Sequence, residues 1–132
     1  MKKHLLLFVK IIAVIIMLQT LFFKFSAADE SVALFTKLAN ENEAFLRIGT
    51  GILELIASIL IFIPKTTWLG ALITIGLMSG AVLGHLTKLG ISHNNDGGLL
   101  FGSAVFILIT GFTVLYSDRK NIPILGAKFY QL

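Results

Sequence analysis

Glu54 stands inside an apolar run from Arg47 to Pro64, RIGTGILELIASILIFIP, in which Arg47 is the nearest basic residue. A carboxylic acid in such surroundings is costly unless it is protonated, hydrogen-bonded or paired. On a helix, Arg47, Gly51, Glu54 and Ser58 fall on one face, at i, i+4, i+7 and i+11. That face carries both charges and a hydroxyl, while Leu53, Leu55, Ile56 and Leu60 point elsewhere. Two further groups can complete a polar centre. His85 shares a face with Thr74, Met78 and Ala81 in a later apolar run, and Lys24 follows Thr20 by one turn at the end of the first run. An acid set among cationic and donor groups can hold an ionised carboxylate, pass a proton, or hydrogen-bond the head of a polar ligand. Glu54, His85, Lys24 and Arg47 are therefore the candidate ligand-binding or proton-handling residues. No catalytic set is expected. His85, His93 and Asp96 offer nitrogen and oxygen donors, but no two stand at a helical ligand spacing, and a metal site is not expected. The sequence has no phosphate loop, dinucleotide fingerprint or Ser/His/Asp set. It has no cysteine, which excludes disulfides and thiolate chemistry within it.

The elements that must position these groups are long and oily. The chain is 56% hydrophobic and 14% charged, against about 25% charge in a soluble domain. Its apolar residues fall in four blocks, 5–23, 46–63, 68–86 and 98–116. Each is close to the roughly 20 residues a helix needs to cross about 30 Å of hydrocarbon. The expected fold is all-α: a polytopic membrane protein, an antiparallel four-transmembrane-helix bundle forming one domain over residues 1–132. The lipid bilayer is its first partner. The net charge of +4 does not imply nucleic-acid binding, because the lysines are scattered along the chain ends. The start, MKKH followed by an apolar run and FSAAD, has features of a cleavable leader, with Ser26 and Ala28 as small residues. Lys10 interrupts that run, so a retained membrane helix is expected. Lys2, Lys3, Lys65, Arg119, Lys120 and Lys128 would lie on one side, and Lys24, Lys37, Arg47 and Lys88 on the other. This bias favours both termini in the cytoplasm.

The connections differ in kind. Pro64 to Thr67 reads as a tight turn that stops the second helix, followed by Trp68 as an interfacial aromatic. Segment 25–44 has Asp29 or Ser31 to cap a short helix with an apolar stripe of Val32, Phe35 and Leu38. It should lie on the outer membrane surface or lid the bundle. Asn94 to Gly98 is a turn signal. Gly76, Gly80 and Gly84 line one face of the third long helix and are expected to serve helix packing, with Gly98, Gly102, Ser103, Thr110 and Gly111 acting likewise in the fourth. The alternative for that glycine face is a groove for a tail-like ligand.

Gly51-Ile-Leu-Glu54 in the second helix, Met78-Ser-Gly-Ala81-Val-Leu-Gly-His85 in the third, Asp96-Gly97-Gly98 opening the fourth and Lys24 ending the first together resemble the DoxX family of small four-helix bacterial membrane proteins. The resemblance runs from about residue 5 to 116. It implies a multi-pass protein of the bacterial cytoplasmic (inner) membrane, an accessory subunit associated with quinone-linked redox chemistry, with quinone as the cofactor to look for. One position departs: the family commonly has glycine three residues before the lysine, where this chain has Leu21. The expected function is thus an oxidoreductase-associated membrane protein, not a stand-alone enzyme, with a buried polar centre around Glu54 and His85 and a membrane redox partner or a homo-oligomer as its company. A structural or assembly subunit without its own ligand is the alternative, and a small transporter or channel the third reading.

Overall fold

The computed structural model describes residues 3–27, 29–90 and 98–122. His93, Asp96, most of the Asn94–Gly98 turn and the apolar tail 123–132 lie outside them. The described residues are all-helical, with four long helices and one short one. They are α1 (Lys3–Phe25), α2 (Asp29–Ala39), α3 (Glu43–Leu60), α4 (Thr67–Gly84) and α5 (Leu99–Ser117). A single π-helical turn, His85–Leu89, continues α4 to Gly90, which ends it at φ 81°.

Three of these helices are long and apolar enough to cross a membrane: α1 over His4–Phe25, α4 with its π-turn over Thr67–Lys88, and α5 over Leu99–Ser117. α3 falls outside that group. Its 18 residues include Glu43, Arg47 and Glu54. Large apolar side chains cover the outer surface, with Ile15, Leu83 and Ile109 each about 60% exposed. In water so broad an apolar surface would drive association.

α3 ends at Leu60, three residues earlier than the apolar block suggests. The proline ring excludes a helical bond to the carbonyl four residues back, and for Pro64 that carbonyl is Leu60. The turn satisfies the freed groups internally. Ile63 N–H and the Thr66 hydroxyl donate to Leu60 O, and the Thr67 hydroxyl donates to Ile61 O at 3.1 Å. Gly70, one turn into α4, lies against this corner. A Cβ there would sit 2.7 Å from Ile61 N and 2.9 Å from Ala57 O, so only glycine lets the two backbones meet.

α4 and α5 form the most extensive contact, α3 packs on both α1 and α4, and α5 touches α1 only lightly. The core gathers Met17 of α1, Ile61, Ala71 and Met78 of α4, and Ile107 and Val114 of α5. α2 lies over one end, against α3, the π-turn and α1. Phe35 is its buried anchor, and Lys88 Nζ donates to Leu38 O at 3.1 Å. Segment 25–44 thus contains a short helix that packs on the end of the bundle.

Candidate functional site

The buried residues of α3 are Arg47, Gly51, Glu54, Ala57 and Ser58. The face read from sequence therefore points inward, with Ala57 added. Glu54 is 1% exposed. Lys24, from the last turn of α1, donates directly to Glu54 Oε1 and forms an ion pair with it. Thr20, one turn earlier, accepts from Lys24 Nζ at 3.3 Å and donates to Met17 O at 2.8 Å. Its oxygen also lies 3.4 Å from Glu54 Oε2. A hydroxyl has one proton, and the shorter bond to Met17 holds it. Glu54 Oε2 is thus the less committed carboxylate oxygen. Ser58 donates to the backbone carbonyl of Glu54 at 2.8 Å and leaves the carboxylate alone.

Arg47 does not join this centre. Two helical turns separate it from Glu54, about 10 Å along the axis. Its Nε donates to Glu43 Oε2 at 2.9 Å, and a terminal nitrogen donates to Lys24 O, a carbonyl in the last turn of α1. Arg47 therefore ties α3 to the end of α1 and is 6% exposed while doing so. The sequence reading missed Glu43, although an i, i+4 acid–base pair on one helix is a readable signal.

His85 is buried at the start of the π-turn. Its Nδ1 lies 3.0 Å from Gly90 O. A carbonyl only accepts, so Nδ1 carries the proton, and in the neutral ring Nε2 is an acceptor. The ring stands edge-on to Phe101 at 5.7 Å between centroids. His85 and Glu54 do not touch. They border the same cavity from α4 and α3. Single π-turns inside α-helices are frequent at functional sites.

That cavity measures about 1060 Å³. Lys24, Thr20, Glu54 and His85 are among its polar groups, with Gln19, Thr50, Ser103, Thr87 and a second cation, Lys88, also on its border; α2 borders it with Phe35 and Leu38, and α1, α4 and α5 supply apolar walls. Gly76, Gly80 and Gly84 line it. The three glycines stand in different surroundings. A Cβ at Gly76 or Gly80 would meet nothing within 4 Å among the described residues, while at Gly84 it would meet Leu38 of α2 at 3.0 Å. Gly76 and Gly80 face open space; Gly84 admits α2; Gly70, which the periodic face does not single out, makes the close helix contact. The departure at Leu21 is met across the helix pair. Leu21 is buried, and a Cβ at Gly51 would lie 3.3 Å from its Cδ2 and 2.8 Å from Phe25 Cε1.

The described residues form an all-helical fold with three helices of membrane-spanning length and composition, bordering a largely apolar, half-open cavity with an ion pair in its wall. No family model, no curated protein and no solved structure matches the chain.

Proposed function

We propose that the four long helices cross the bacterial cytoplasmic membrane as an antiparallel bundle, and that the cavity binds an amphiphile of quinone type beside a membrane redox partner, as the DoxX resemblance implies. The observation that carries this reading is the cavity: about 1060 Å³, apolar along α4, with Lys24, Thr20, Glu54 and His85 among its hydrogen-bonding groups. Ligand pockets commonly run to about 300–1000 Å³ with a few placed polar groups, so a ring-sized head and part of a tail fit. Lys24 is the donor for a head-group oxygen, and Glu54 Oε2 and the second nitrogen of His85 are partners for a head-group hydroxyl.

Native mass spectrometry from mild detergent tests this. Wild type should carry a quinone adduct, and Gly76→Phe, whose Cβ meets nothing within 4 Å among the described residues and whose ring would occupy the cavity, should lose it while remaining folded. A wild-type spectrum without adduct, or an adduct unchanged in Gly76→Phe, refutes ligand binding. A second reading is favoured by one observation: the Lys24–Glu54 ion pair and the hydrogen bond from Arg47 to Lys24 O both join α1 to α3 inside the chain. On that reading the centre locks a structural or assembly subunit, and the spectrum shows a protein partner instead of a small ligand.

A further inference from the structure

The space around the α1–α5 seam has two compartments. Beside the main cavity lies a groove of about 580 Å³ between Ile12 and Ile16 of α1 and Gly102 and Phe106 of α5. Ile16, Leu99 and Ser103 border both compartments. The seam between them is thin, since α5 packs chiefly on α4 and lightly on α1. A Cβ at Gly102 would meet nothing within 4 Å among the described residues. Ile12 lies twelve residues before Lys24 on α1, which places the far end of the groove about 18 Å along the axis from the ion pair. α1 and α5 are both apolar enough to span a membrane, so at that depth the groove opens to hydrocarbon.

We propose that this groove is a binding site for the apolar tail of the ligand whose head sits at Lys24 and Glu54, and that the tail leaves the protein sideways into the lipid between α1 and α5. The inference rests on the amphiphile reading above and adds where the chain runs and what tail it accepts. Continuity argues for this route: Ile16, Leu99 and Ser103 border both compartments, and Ile12, Ile16, Leu99 and Phe106 give the groove its apolar lining. Transfer of a tail from lipid to an apolar groove carries little hydrophobic gain, because lipid is as apolar as the groove. The groove therefore acts by steric permission: it admits one long chain and does not tighten binding by burial.

Two probes separate the parts: a benzoquinone carrying an isoprenoid tail of about forty carbons, and the same benzoquinone without a tail. Both are titrated against the full chain in mild detergent. Wild type should bind both. Gly102→Trp, which fills the groove, should weaken the tailed probe at least tenfold and leave the tailless probe unchanged. Gly102→Leu should give a smaller loss in the same direction and serves if the tryptophan variant does not fold. Gly76→Phe should lose both probes. Equal binding of the tailed probe by wild type and both Gly102 variants overturns the outlet while leaving the cavity reading intact. Failure of wild type to bind either probe overturns both.

Discussion

At the scale of single residues, α3 holds two ion pairs, and only one belongs to the centre. Lys24 answers Glu54 from α1, whereas Arg47 is taken by Glu43 and by the Lys24 carbonyl in the last turn of α1. The inward stripe of α3 was legible because helical spacing decides which residues share a face. The pairing was not. Arg47 was the nearest base in sequence, yet it stands two turns from Glu54, and only the packing of α1 on α3 brings Lys24 into reach. Removing one member of a buried pair strands the other charge, which costs about 3–5 kcal/mol, whereas removing both is often close to neutral. Glu54→Gln should therefore lower stability in detergent by about 3 kcal/mol, and Lys24→Met combined with Glu54→Gln should recover most of the loss. Thermal unfolding of the two single variants and the double variant measures the coupling. A double variant no more stable than Glu54→Gln would mean that the ion pair does not govern the site.

At the scale of elements, α4 owes its placement to one glycine and its openness to two others. The regular spacing of Gly76, Gly80 and Gly84 was visible in sequence, and it correctly put them on one face. Spacing does not say what stands opposite. The structure sets cavity against Gly76 and Gly80, and a backbone corner against Gly70. That corner exists because Pro64 forces α3 to stop at Leu60, a boundary that follows from the proline's own i−4 clash. Alanine substitution separates the two kinds of glycine. At Gly70 the obstructing atoms are the Ile61 and Ala57 backbone, which cannot rotate away, so Gly70→Ala should cost about 2–3 kcal/mol through overpacking. At Gly76 the added methyl meets nothing, and the lower freedom of alanine in the unfolded chain should stabilise by about 0.5–1 kcal/mol. Opposite shifts in melting temperature are expected. Equal shifts would show that the α3–α4 corner relaxes freely.

At the scale of the whole molecule, the question is whether α3 crosses the bilayer with its three neighbours. Its 18 residues make about 27 Å of helix, nearly the roughly 30 Å of a hydrocarbon core. Three charges set it apart from α1, α4 and α5. Each charge costs about 2.5–3.5 kcal/mol at the bilayer centre when unpaired, but here Glu54 is paired with Lys24 and Arg47 with Glu43, and all four side chains are at most one-fifth exposed. With its charges closed inward, α3 keeps Ile52, Leu53, Leu55 and Ile56 well exposed on its outer face, a surface that a crossing would place against lipid. Four crossings then place the connection after α1 and the turn after α3 on opposite sides. The sequence has no cysteine, so single reporters are unambiguous, and Ser26 and Lys65 are both exposed in those connections. With both termini in the cytoplasm, Ser26→Cys should react with a membrane-impermeant maleimide in intact bacterial cells whose outer membrane is permeabilised. Lys65→Cys should react only after lysis. The reverse pattern would keep four crossings and invert them. Labelling of both reporters in intact cells would mean that α3 does not cross, which would break the antiparallel bundle and leave Glu54 outside the hydrocarbon.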